Sequence, residues 1–133
     1  MANVLQCDIV TPDTMLFRGE AVLVGAPAAE GDIGLMYQCS PLMSTLRRGT
    51  IRIKSESDEV TTFAIDTGYL EVDGYKVVAL VTHAIDIATA DKSISQGIAE
   101  EYKKRLAELS EDDPARAFAQ AEVDWHEYLI SII

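Results

Sequence analysis

Near Ala90 the spacing of apolar residues changes from two to between three and four, and this change divides the chain. Before it, in residues 4–82, short runs alternate apolar and polar side chains, as half-buried strands do. In "TIRIKS", Ile51 and Ile53 face one way and Arg52 and Lys54 the other. "VTTFAID" is rich in β-branched and aromatic residues. Asp73-Gly74 separates two alternating runs, which predicts a hairpin with a type I′ turn at that pair. "TPDT", "FRGE", "RRGT" and "KSESDE" mark further turns. Many short strands at close spacing imply an all-β sandwich or flattened barrel.

Beyond the change, Ile94, Ile98, Tyr102, Leu106 and Leu109 predict one apolar stripe on a helix over residues 93–109. "SEDDP" breaks it. Asp113 is suited to cap a second helix, with Pro114 in its first turn, where the missing N–H does no harm. Phe118, Ala121, Trp125, Leu129 and Ile132 fall on one face of that helix. A short link between two amphipathic helices implies an antiparallel hairpin. The expected organisation is a β-sandwich domain over residues 1–88 and a two-helix hairpin over residues 89–133.

Composition narrows the function. A net charge of −11 makes nucleic acid an unsuitable partner. No apolar run approaches the ~20 residues of a membrane span, so membrane association is expected only through a partner. The N-terminus shows no basic leader followed by an apolar core. Cys7 alternates with polar neighbours beside Leu5 and Ile9, so it should face a core; two lone thiols fit a reducing compartment.

No residue set nominates a catalytic, metal or cofactor site. His83 and His126 lie in no H-x-x-x-H or Cys/His cluster. "GAPAAEGDIG" is neither a phosphate-binding loop nor a dinucleotide fingerprint, and no serine sits in a G-x-S-x-G elbow. Asp112/Asp113 and Glu100/Glu101 read as solvated helix ends, and Met15, Met36 and Met43 as fillers of core gaps. Aromatic content of 7% gives little support to a sugar platform.

The segments "CDIVTPDTMLFRGEAVLVGAPAAEGDIGLM", "SPLMSTLRRGTIRI" and "FAIDTGYLEVDGYKVVALV" occur in an order that resembles the ε subunit of bacterial F-type ATP synthases. That pattern includes T-P-x-x-x-x-F-x-G (Thr11, Pro12, Phe17, Gly19) and E-G-[DE]-[LI]-G (Glu30 to Gly34). It continues with a P-L-L turn (Pro41, Leu42, Met43), Gly49 before a strand, and G-[FY]-L-E-V (Gly68 to Val72). The resemblance implies a β-sandwich followed by a helical hairpin in the rotating central stalk, with no catalytic role and no cofactor. The γ subunit and the c-ring would be partners, on the cytoplasmic face of the bacterial plasma membrane. It also implies c-ring contact through Glu30, Gly31 and Asp32, and γ contact around Cys39, Pro41 and Leu42. A regulatory tail would include Phe118, Trp125 and Leu129, able to reach the α and β subunits and brake ATP hydrolysis.

Three departures stand out. Cys39 occupies a place where the family commonly has His. The ATP-binding pattern [IL]-D-x-x-R-A is matched by "ISQGIA", in which Ser95 and Ile98 replace Asp and Arg, so ATP binding is expected to be weak or absent. The family's second tail helix meets an acidic loop of the catalytic β subunit through basic residues, whereas residues 113–133 here carry one basic residue, Arg116, against four acidic ones. The competing reading is a small nucleotide-sensing or binding β-sandwich module.

Overall fold

A computed structural model describes residues 3–133. The chain forms two compact units, one through Ala88 and one from Thr89 to Ile133.

The first unit contains ten strands: β1 (Leu5–Val10), β2 (Met15–Ala21), β3 (Leu23–Ala28), β4 (Gly31–Leu35), β5 (Leu42–Leu46), β6 (Gly49–Lys54), β7 (Val60–Ile65), β8 (Gly68–Val72), β9 (Lys76–Val81) and β10 (Ala84–Asp86). They pair in the order β10-β7-β6-β3-β5-β8-β9-β1-β2, with β4 on β3. Among the described residues only β1 and β9 run parallel; the other pairs are antiparallel. β3 meets β5 through the single pair Ala28↔Leu46, so the hydrogen-bonded path is thinnest there. Phe17 on β2 and Phe63 on β7 stand far apart in strand order, yet their rings are 5.3 Å apart. The sheet therefore folds over at β3/β5 into two layers around one core.

Strand alternation fills that core. Leu5, Cys7 and Ile9 on β1, Ile51 and Ile53 on β6, and Val77, Ala79 and Val81 on β9 are all buried in it. Burial, helped by the neighbouring Asp8 charge, pushes the Cys7 thiol up to about 12, so it packs as a small hydrophobe.

The second unit pairs α1 (Lys92–Glu108) with α2 (Ala115–Ile132). Asp91 caps α1, its carboxylate accepting from the N–H groups of Ser93 at 2.8 Å and Ile94 at 3.3 Å. Asp113 Oδ1 accepts from the Ala115 N–H at 2.9 Å, and Pro114 already has helical angles. The expected cap is thus chemically in place.

Three expectations need correction. Met15, Met36 and Met43 do not fill core gaps; they are 46%, 59% and 79% exposed, because each projects from the outer face or rim of the sandwich. The β8–β9 hairpin turns one residue later than expected. Asp73 pairs with Lys76 and its carboxylate accepts from the N–H groups of Tyr75 and Lys76, both at 2.8 Å. Gly74-Tyr75 is therefore the central pair, and only Gly74 has positive φ, which suits a type II′ turn. Finally, the helical stripes are rotated: Ile94, Phe118, Ala121 and Ile132 are exposed, while Ser95, Ala99, Ala119 and Val123 are buried alongside Trp125 and Leu129.

Candidate functional site

The segment that opens with Glu30 forms one wall of a groove at the fold-over of the sheet. β3 reverses into β4 over Ala29-Glu30, with Ala28 opposite Gly31 and Pro27 opposite Asp32. Gly31 has φ +142°, a conformation that L side chains rarely adopt. β5 supplies the other wall. The groove has a volume of about 510 Å³, with Glu30, Gly31 and Asp32 on one side and Leu42, Met43 and Ser44 on the other.

Arg47 braces the first wall. Its backbone N–H donates to Pro27 O at 2.9 Å, its Nε to Ala28 O at 2.8 Å and its Nη2 to Asp32 Oδ1 at 2.9 Å. Both side chains of the Arg47–Asp32 pair are at least half exposed, so the pair contributes little to stability and mainly fixes geometry.

The residues expected around Cys39 divide. Cys39 and Leu42 are half-buried and pack against the core, while Pro41 is exposed. The turn before them leans on the β8–β9 hairpin: Gln38, at φ +63°, donates its N–H to Gly74 O at 2.7 Å. The rings of Tyr37 and Tyr75 meet edge-on at 5.7 Å. Leu42 lines the groove; Cys39 and Pro41 do not. In the helical unit, Trp125 and Leu129 are buried and Phe118 is 62% exposed, its ring edge-on to Tyr102 at 6.1 Å.

Sequence reasoning missed a second surface. Thr45, Tyr69, Leu80, Val10 and Met15 stand in register across five strands. Tyr69, Leu80 and Met15 are 64%, 46% and 46% exposed. Tyr69, Leu80, Val10 and Pro12 line a shallow depression of about 340 Å³. The signal was present in "VVALV", where Leu80 takes an outward position in a strand whose Val77, Ala79 and Val81 point inward.

His83 lies beside Asp66, with Nδ1 3.6 Å from Oδ2, and Arg48 holds the same carboxylate at 3.0 Å. Among the described residues no group of three or more His, Cys, Asp or Glu side chains could hold a metal ion. Among the described residues no helix is long and apolar enough to cross a membrane.

Residues 4–87 match the domain family described as ATP synthase, Delta/Epsilon chain, beta-sandwich domain. ATP synthase epsilon chain 1 of Methylococcus capsulatus is 36% identical over 126 residues, covering 92% of this chain and 87% of that one. The chain belongs to the ATP synthase epsilon chains. The epsilon chain of Halorhodospira halophila is 38% identical over 91% of this chain and 86% of its own length. Among solved structures, a chain of the Euglena gracilis mitochondrial ATP synthase, OSCP/F1/c-ring, superposes with a TM-score of 0.71 at 15% identity. The match covers 99% of this chain and 82% of that one. A chain of the Tetrahymena thermophila mitochondrial ATP synthase central stalk/c-ring gives 0.53 at 16% identity, over 95% and 96%. At such identities these two structures speak for the fold of the epsilon chain.

Proposed function

We propose that this epsilon subunit is a non-catalytic coupling element of the ATP synthase central stalk, seated between the γ subunit and the c-ring. The observation that carries this reading is the 36–38% identity to epsilon chains over about nine-tenths of this chain. The surfaces support it, because they offer exposed apolar docking area. The groove edged by Glu30, Gly31 and Asp32 is the ring-side contact. The turn bearing Cys39, Pro41 and Leu42 belongs to the γ side, and the row through the exposed Tyr69, Leu80 and Met15 is a separate apolar surface open to a partner. Aromatic and methionine side chains are favoured where partners meet.

Rotation of the ring would reach the catalytic head through γ and this subunit together. The protein works on the cytoplasmic face of the bacterial membrane, held there by the complex. The helical hairpin is the regulatory part, with Phe118, Trp125 and Leu129 available to the α and β subunits once the hairpin opens.

The test is reconstitution of the synthase with variants of this subunit. Asp32→Arg is expected to lower proton pumping per ATP hydrolysed. Asp32 is so exposed that the fold should change by no more than about 0.5 kcal/mol. Unchanged pumping with a fully assembled Asp32→Arg enzyme would overturn the ring-side assignment.

A further inference from the structure

A separate depression, of about 470 Å³, opens on the outer face of the sheet where β3, β6 and β7 run side by side. It is lined by Leu23, Gly25, Arg52, Lys54, Asp58 and Val60, none of them assigned above to the ring or to γ. Its charges are unequal. Lys54 Nζ is 3.3 Å from Asp58 Oδ1, so that pair is locally neutral. Arg52 is exposed and has no hydrogen bond or ion pair among the described residues. Leu23, Lys54 and Val60 form one cross-strand row, and its two apolar members are 38% and 49% exposed.

The floor beside that row is bare. The next row runs Gly34, Gly25, Arg52, Thr62, so two glycines stand opposite each other next to the free guanidinium. Neither has a positive φ. An added Cβ would meet nothing closer than 3.9 Å at Gly25 and 3.6 Å at Gly34, which are ordinary contact distances. Neither conformation nor crowding calls for glycine here, and glycine inside a strand costs chain entropy and packs no side chain. Such a glycine marks a place where another backbone approaches closely. Gly25 is laddered to β4 and to β6, so it offers no nest of free N–H groups to a phosphate. A net charge of −11 disfavours nucleic acid. The chemistry that complements one arginine fork beside two apolar side chains is a carboxylate with apolar neighbours.

We propose that this face docks an acidic segment of a protein partner, in which one Asp or Glu is flanked by apolar residues. The backbone of the segment crosses the bare floor at Gly25 and Gly34, its carboxylate pairs with Arg52, and its apolar neighbours rest on Leu23 and Val60. Lys54, held by Asp58, borders the site without supplying a second free charge. The proposal goes beyond the rotor-subunit reading and does not depend on which subunits the other surfaces meet.

The probe is an end-capped pentapeptide with glutamate between leucine and valine, titrated into the full chain while the amide chemical shifts of the chain are followed. The glutamate peptide should move the signals of Gly25, Gly34 and Arg52. The same peptide with glutamine in that place should bind about tenfold more weakly, as loss of a charge-assisted pair implies. Arg52→Gln, at an exposed position that the fold does not need, should erase the difference between the two peptides. Gly25→Val, which puts a branched side chain on the floor, should abolish binding of both, with thermal unfolding confirming its fold. Equal affinity of the two peptides for the unaltered chain, or shifts confined to other faces, would overturn the site. The same shifts from inorganic phosphate alone would make it a small-anion site, and the same shifts from raised protein concentration without peptide would make the occupant a second copy. Either result overturns the partner assignment.

Discussion

Asp8 follows Cys7 in β1 and points to the opposite side of its sheet, where alternation places solvent, yet it is only 2% exposed. Its cover comes from neighbouring strands. Arg18, directly opposite on β2, donates from Nε and Nη2 at 3.1 and 3.0 Å, and Lys76 Nζ approaches to 3.4 Å. The inward turn of Cys7 was legible because its neighbours alternate; the burial of Asp8 was not, since it depends on cross-strand partners distant in sequence. Met43 escaped for a related reason. The inward positions of β5 include Ser44, so its polarity pattern gives no parity. Hydrogen bonds from Arg18 hold the Asp8 carboxyl below the usual carboxylate range, against the opposing effect of burial. A carboxyl with a lowered folded pKa adds stability that is complete above its unfolded value, about 3.9. That contribution is lost as pH falls through the folded value. Asp8→Asn is expected to cost about 1–2 kcal/mol at pH 7, a difference that shrinks toward pH 3. Thermal melts at both pH values check this; an equal gap at both would remove the ion pair as its source.

The helices were legible in number and order but not in phase. The sequence stripes run through the large residues, whereas the buried positions of α1 are the small Ser95 and Ala99, and those of α2 include Ala119 beside Val123, Trp125 and Leu129. Small side chains let helix axes approach, and Ile98, Tyr102 and Leu106 then flank the seam, half-buried. Arg116 has a role that sequence could not show, because its acceptors converge only when the hairpin is closed. Its Nη1 donates to Leu106 O at 3.0 Å and Leu109 O at 3.2 Å, satisfying carbonyls at the end of α1. A cation there is also favoured by the helix dipole. Lys103 adds a second clasp to Glu127 at 2.9 Å, and that hydrogen bond is the main reason its pKa is raised. Arg116→Ala is expected to loosen the hairpin by about 1–2 kcal/mol. Hydrogen exchange should show faster amides in residues 92–109 and unchanged protection in β1 and β9. Arg116→Lys should recover part of the loss. Unaltered exchange in α1 with Arg116→Ala would show that packing alone closes the hairpin.

At the scale of the whole molecule the net charge of −11 bears on the proposed brake. If the tail inhibits by reaching an acidic loop of the catalytic β subunit, its own charge decides whether it is drawn in or pushed away. From Asp113 to Ile133 the chain offers Arg116 against Asp113, Glu122, Asp124 and Glu127. In the closed hairpin that single cation is engaged with the end of α1, so opening must first break this contact. Once open, one positive charge faces an acidic loop in the company of four negative ones. Salt weakens such repulsion beyond about 8 Å at physiological ionic strength, while insertion of Trp125, Leu129 and the other apolar residues of α2 does not depend on charge. Inhibition of ATP hydrolysis by the tail is therefore expected to be weak at low salt and stronger as salt rises. The measurement is hydrolysis by the assembled enzyme with and without residues 91–133, at both ionic strengths. Strong inhibition that fades as salt increases would mean that attraction governs the tail, and the charge argument would fall.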